Sequence, residues 1–418
     1  MAQLGKDSFA AGDRLMPVGE AVELLFARTP CVEGIETVAL AEAEGRVLAE
    51  ALAAPIDLPA FDNSAVDGYA VRFADLTPER ESVLPVSGRV AAGHAPGTDR
   101  VAGVAVRIFT GAAMPEGADT VFMQEDCRIL PDGSVALPKG LTLGANRRLR
   151  GEDIGVGREA LPRGRRLRPE DIGLAAALGV ERLAVRRRLK AAVFSTGDEI
   201  VSPGEPLPAA AVYDANRFVL QGLLRRLGVE VTDLGILKDD PERIGAALRG
   251  AAQTHDLVIT SGGVSTGEED HVKAAISQNG SLVFWRLAIK PGRPVAMGVI
   301  EGAPFVGLPG NPVAVFVTFV TVVRPLIAAL SGALFEPARA VAVASGFSYK
   351  KKKGRREFVR VSLRLGATGE AIADKYPVEG AAVLTSLTRT HGFVELPEDV
   401  SAVAPGDQVA FVDYDLIR

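Results

Sequence analysis

Leu257-Val-Ile-Thr-Ser-Gly-Gly-Val-Ser-Thr-Gly-Glu-Glu-Asp-His-Val-Lys273 is the stretch on which the reading of this chain turns. Leu257–Thr260 is a short apolar, β-branched run, the pattern of a strand buried on both faces. Ser261–Gly267 holds three glycines and three hydroxyl residues in seven positions, and Glu268 then opens a segment that reads as a helix. Glycines let a backbone approach a ligand, and N–H groups converging at a partly positive helix start suit an anion. Glu268, Glu269 and Asp270 stand beside this loop, an arrangement that makes sense if a divalent cation lies between carboxylates and a phosphate. A tight strand-to-helix turn with an acidic first helical turn accounts for the same residues through the macrodipole alone.

On either side of that stretch, strand and helix patterns alternate. Lys190–Ser195 reads as a strand, and Asp214 as the N-cap of a helix through Leu227 with Gly228 at its end. Val229–Leu237 is a strand run, and Asp240-Pro241 supplies an N-cap and N1 proline for a helix to about Gln253. Beyond the glycine loop come a helix to Asn279, strands at Leu282–Trp285, Val295–Val299 and Pro304–Leu308, and a long helix over Asn311–Leu330. This alternation predicts a doubly wound, mostly parallel α/β sheet with ligands at the carboxyl ends of its strands. Four loops then converge: Ser195-Thr-Gly-Asp-Glu199, Lys238-Asp-Asp240, the glycine loop with Asp270, and Leu308-Pro-Gly-Asn-Pro312. Together they supply glycines and hydroxyls for phosphate and carboxylates for a cation. Lys290-Pro-Gly-Arg-Pro294, with Arg286 upstream, is the basic counterpart; a rigid turn presenting Lys and Arg suits an oxyanion, though two solvated charges on a surface turn fit as well.

The flanks differ in kind. Pro17–Arg28 has helical spacing, and Glu36–Leu52 reads as a helix or a strand–helix pair around Gly45-Arg46. Pro55–Val71 carries two prolines and the turn chemistry of Asp62-Asn-Ser64 and Asp67-Gly68, so it reads as a functional loop or a linker. Short β-like runs at Val83–Val86, Val104–Phe109, Thr120–Met123 and Ser134–Leu137 predict a small β domain. Pro169–Leu178 reads as a helix, and Arg186-Arg187-Arg188 as an exposed boundary. After a linker at Ser331–Arg339, short alternating strands predict a C-terminal β-barrel or sandwich.

With 418 residues the chain has room for roughly two to four domains. A net charge of −5 provides no global field for nucleic acid or an acidic membrane. Two distant cysteines, Cys31 and Cys127, and four scattered histidines argue against a disulfide scaffold or a zinc site. No signal-peptide pattern is present, and the longest apolar segment, Val313–Val323, falls short of the ~20 residues of a membrane span. A reduced, cytoplasmic protein is expected.

Seven motifs occur in one order: Phe61–Ala70, Ile108–Asp119, Arg150-Gly-Glu-Asp153, Phe194–Glu199, Val258–Asp270, Lys290–Pro294 and Leu308–Pro312. In this combination, spread over essentially the whole chain, the sequence resembles the molybdopterin molybdenumtransferases, the MoeA and gephyrin E-domain family. The resemblance implies insertion of molybdate into adenylylated molybdopterin with release of AMP and a requirement for Mg²⁺. It also implies a homodimer whose cleft is shared between protomers, and a molybdopterin adenylyltransferase as upstream donor. It implies an elongated N-terminal domain (1–70 and 147–186), an inserted small β domain (71–146), an α/β molybdopterin-binding domain (187–332) and a C-terminal β-barrel (338–418). By similarity, Glu199, Asp239 and Asp270 are the acidic groups that hold the cation or cleave the pyrophosphate. Asp67, Thr110 and Asp153 come from the partner protomer. Lys290, Arg293, Pro294, Arg360 and Arg286 belong to the molybdate pocket. Ser261, Gly262, Gly263, Ser265 and Gly267 of the glycine loop, with Pro309, Gly310, Asn311 and Pro312, hold the pterin pyrophosphate and shape the cleft. Three departures stand out: Arg286 replaces a common lysine, Arg293 is the second basic residue of the family's Lys-Pro-Gly-Lys-Pro pattern, and Ala381 or Ala382 replaces a common serine. A molybdopterin adenylyltransferase and a gephyrin-like scaffold are the alternatives.

Overall fold

Seven strands form the sheet that carries the site, in the order Leu15–Met16, Gly280–Leu287, Pro294–Ile300, Ala303–Leu308, Leu257–Ser261, Lys190–Thr196, Glu230–Leu237. The computed structural model describes residues 15–77, 79–95, 101–238, 240–262 and 280–416, with backbone alone at 280–285. The last four strands run parallel, and Pro294–Ile300 pairs antiparallel with both of its neighbours. The mostly parallel sheet expected from the sequence is therefore present, with an antiparallel turn-back on one side. Its two-sided burial is visible in the pleat. Ala191, Val193 and Ile259 point into a core made with Leu220, Leu224 and the long helix. Ala192, Phe194 and Val258 face Ile244 and Leu248 on the other side.

Local chemistry sets the helix starts. Asp240 accepts from Glu242 N and Arg243 N at 3.0 and 3.3 Å, capping Pro241–Ala252 with proline at its first position. The helix expected from Asp214 runs over Asn216–Arg226, and Asp214 serves its first turn by accepting from Arg217 N at 3.2 Å and from the Arg217 guanidinium at 2.8 Å. The last helix runs without a break from Pro312 to Ser331 through a π-helical turn at Phe319–Val323. It has 20 residues and could by length and composition cross a membrane, which corrects the shorter apolar run read from sequence. It is instead the buried core helix of the α/β domain, packed by Val18–Arg28 and the sheet.

Two features of the N-terminal half differ from expectation. Leu15–Met16 extends the α/β sheet by pairing with Arg286–Leu287, so this end of the span read as the elongated domain packs on the α/β domain. Gly68–Val71, read as the end of a loop, is an inner strand between Ala105–Ile108 and Thr120–Met123. A Cβ on Gly68 would stand 1.7 Å from Phe122 O, so only glycine allows this close pairing. The boundary drawn at residue 70 falls inside that strand.

The C-terminal strands close into a five-strand barrel: Arg356–Leu365, Ala371–Lys375, Val341–Ser345, Gln408–Asp413 and Gly392–Leu396, the last pairing back with the first. The barrel is fixed to the α/β domain in two ways. Ile289–Lys290 pairs parallel with Arg356–Glu357. Phe316 of the core helix meets Phe393 and Tyr414 of the barrel edge-on, with centroids 5.8 and 5.4 Å apart. At the other end, guanidinium groups join the N-terminal unit to the α/β domain: Arg166 Nη1 donates to Gly45 O and Leu227 O, both at 2.9 Å, and Arg187 donates to Glu33 O and to the Asp256 carboxylate. Leu227 ends the helix Asn216–Arg226, where the exposed carbonyls favour a cation.

Candidate active site

Three strand ends are tied into one edge. Ser261 Oγ donates to Pro309 O at 3.1 Å, and Gly262 N donates to Leu308 O at 3.1 Å. Asn216 Nδ2 donates to Ser261 Oγ at 2.9 Å and to Gly310 O at 2.6 Å. Gly262 has φ +93°, and a Cβ there would meet Thr196 O at 2.7 Å. The glycine thus brings the loops after Lys190–Thr196 and Leu257–Ser261 against each other. Ser195 Oγ, buried at the same edge, has no hydrogen-bond partner among the described residues. Gly263, Ser265, Gly267, Asp239 and Asp270 lie outside the described residues.

Of the three carboxylates expected around a cation, Glu199 is the described one, exposed just past the first strand. Among the described residues no group of three or more His, Cys, Asp or Glu could hold a metal. Glu199 is a hard oxygen donor of the type Mg²⁺ takes, so the described residues fit that ion in chemistry and leave its set incomplete.

Beside this edge opens a cleft of about 370 Å³ between the α/β domain and the barrel. Lys290, Pro294, Pro309 and Asn311 line it from one side; Arg360 and Tyr349 line it from the other. Pro312 is the first residue of the core helix, whose Val313 N donates to Ala381 O at 2.9 Å, closing the cleft floor. Arg286 and Arg293 are exposed and are not among the residues that line it. Of the five pocket positions expected, the fold brings Lys290, Pro294 and Arg360 together and leaves these two outside.

Sequence reasoning missed the support of this cleft. Glu357, 1% exposed, accepts from Tyr349 Oη at 2.8 Å and Arg355 Nε at 2.7 Å, and lies 3.4 Å from Lys290 Nζ. It anchors Lys290 at the mouth of the cleft. Burial and then the Glu357 bond push the Tyr349 phenol up, so the phenol keeps its proton and donates it to that carboxylate. Lys375, also missed, is a third cation on the wall, 5.5 Å above the Tyr349 ring, with Lys290 at 5.9 Å. Burial lowers the Arg360 pKa from its ordinary value, and its Nε has no hydrogen-bond partner among the described residues. A partly desolvated guanidinium on a cleft wall favours an incoming anion.

Asp67 and Thr110 form a separate pair. Asp67 Oδ1 accepts from Thr110 N and Oγ1 at 2.8 and 2.7 Å, and these bonds hold its carboxyl below the usual range. Asp153 is exposed nearer the Leu58 turn, its N donating to Leu58 O at 3.0 Å. None of the three lines the cleft of its own chain.

Comparison with known proteins gives matches along the chain. The family regions described as MoeA N-terminal region (domain I and II), probable molybdopterin binding domain and MoeA C-terminal region (domain IV) match residues 16–179, 192–329 and 342–414. The molybdopterin molybdenumtransferase of Haemophilus influenzae is 38% identical over 402 residues, covering 96% of this chain and 99% of its own. Molybdopterin molybdenumtransferase 2 of Mycobacterium tuberculosis is 37% identical over 90% of this chain and 94% of its own. A molybdopterin biosynthesis MoeA protein from Pyrococcus horikoshii superposes with TM-score 0.79 at 30% identity, over 96% of this chain and 100% of that one.

Proposed function

The chain belongs to the MoeA family of molybdopterin molybdenumtransferases, and from that premise we propose how its residues carry out the transfer. It is a molybdenum-cofactor biosynthesis transferase with molybdopterin and molybdate as substrates. In our reading, molybdate enters the dithiolene of adenylylated molybdopterin and AMP leaves. The observation that carries this reading is the convergence of Lys290, Arg360 and Lys375 on one cleft beside the tied strand ends. Cations on a rigid wall hold the oxyanion, while backbone N–H groups at the strand ends take the pyrophosphate. The chain contributes position and electrostatics, and no covalent enzyme intermediate is needed. Mg²⁺ would be held by Glu199 with Asp239 and Asp270, and when bound it neutralises charge on the phosphoryl oxygens. The full-length relatives named as transferases give no support to the adenylyltransferase or scaffold alternatives. With free thiols at Cys31 and Cys127 and the long apolar helix Pro312–Ser331 buried in the core, we place the protein in the cytoplasm.

Purified protein given adenylylated molybdopterin and Mg²⁺ is expected to release AMP on addition of molybdate, and to stop when EDTA is added. Absence of molybdate-dependent AMP would sink the reading; release unaffected by EDTA would remove Mg²⁺ from it.

The protein acts as a homodimer with shared sites, in which Asp67, Thr110 and Asp153 face the partner's cleft. What supports this is that they carry family motifs yet stand away from the cleft of their own chain. Mixed dimers of Asp67→Asn and Lys290→Ala subunits then contain one intact site and one doubly altered site. They are expected to recover about half of wild-type turnover, although each homodimer is inactive. Mixed dimers as inactive as their parents would refute sharing.

A further inference from the structure

The cleft contains a carboxylate that its proposed substrate must confront. Glu379 lines the wall with Lys290, Arg360 and Lys375, and its Oε1 lies 2.5 Å from Lys375 Nζ. Resting on the function proposed above, we propose that Glu379 is the internal counter-ion of the cleft and sets its anion specificity. A tetrahedral dianion binds by taking Lys375 away from the Glu379 carboxylate.

The geometry makes this exchange possible. Lys375 ends the strand Ala371–Lys375 and its side chain is 23% exposed, so it stays on the wall. The Glu379 side chain is 62% exposed and can turn into water once its partner is taken. The loop beneath it is fixed by Arg360, whose Nη2 donates to Val378 O at 3.4 Å and Gly380 O at 3.2 Å on either side of Glu379. Release therefore requires a side-chain movement only. The Lys375 bond holds the Glu379 carboxyl below its ordinary value, and Lys290 and Arg360 add to this. Its negative charge is present at neutral pH and faces any anion in the cleft. A dianion gains more from three cations than the carboxylate it displaces, whereas a monoanion such as chloride gains no more than Glu379 already supplies. Glu379 thus discriminates by charge.

The test is equilibrium binding of sodium molybdate to the full chain, with chloride as competitor. The proteins compared are wild type, Glu379→Gln, Glu379→Ala and Lys290→Ala, with melting temperatures recorded for each. Both Glu379 variants are expected to bind molybdate about tenfold more tightly and to become sensitive to chloride. A gain of affinity cannot come from a damaged fold. Unchanged or weaker binding in both variants, with Lys290→Ala still abolishing it, would overturn the role of Glu379 and leave the cleft reading intact. No molybdate binding by wild type or either Glu379 variant would overturn the cleft reading, and this inference with it.

Discussion

Glu357→Ala is expected to lower stability by about 3 kcal/mol, the cost of removing one partner from a buried charged network. The carboxylate is 1% exposed and accepts from Tyr349 at 2.8 Å and Arg355 at 2.7 Å. Without it, the half-buried Tyr349 hydroxyl and the Arg355 guanidinium lose the carboxylate that accepts from both. Glu357→Gln keeps an acceptor for the hydroxyl and removes the charge, so its loss should be smaller. Denaturant melts of the two variants check this order. An unchanged midpoint for the alanine variant would show that the network contributes nothing. Because Lys290 Nζ lies 3.4 Å from the same carboxylate, molybdate affinity should fall in both variants even where the protein is fully folded.

Arg360→Met is expected to weaken molybdate binding roughly a hundredfold, the scale of losing charge-assisted hydrogen bonds in a desolvated site. Its guanidinium stands on the cleft wall with an Nε that bonds nothing among the described residues, and it also holds the Val378 and Gly380 carbonyls. Arg360→Lys restores charge without the planar fork, so it should recover only part of the affinity. Calorimetric titration of the two variants distinguishes the effects. Full recovery by lysine would mean that charge alone matters there, and no loss with methionine would remove Arg360 from the site.

The α/β half was legible because its signals are local. Buried strands show as short β-branched runs, Asp240-Pro241 marks a helix start, and glycine-rich turns mark strand ends. The core helix was read correctly despite a β-branched stretch at Val315–Val323, since Pro312 opens it and the run is too long for a strand. Leu15–Met16 gave no signal, being a two-residue strand whose partner is distant in sequence. Gly68–Val71 was hidden because its glycine follows turn chemistry, while the need for glycine comes from Phe122 across the sheet. In the site, the proline-flanked loops were visible, and Lys290 and Arg360 came with the family motifs. Tyr349, Glu357 and Lys375 were not, because on short strands they look like any polar face, and Glu379 was not, because it looks like any charged loop residue. The closed barrel, together with the short Tyr349–Lys350 strand and the loop at Glu379, brings them to one place. Asn216 was likewise passed over, as an asparagine in the first turn of a helix resembles ordinary capping chemistry; here it ties two loops together.

Arg166 gives the N-terminal unit a fulcrum. Its bonds to Gly45 O and Leu227 O pin that unit to the end of an α/β helix, and burial with Arg324 and Arg188 nearby lowers its pKa without leaving it unsatisfied. The joint is shared with Arg187, which donates to Glu33 O at 2.9 Å and to the Asp256 carboxylate at 2.7 and 2.6 Å, so the seating of the unit that carries Asp67 and Thr110 is set here. In the proposed dimer the placement of the distant half-site is therefore governed at this joint. The enzyme's tolerance to substitution should be narrow there and broad along the unit's exposed flanks.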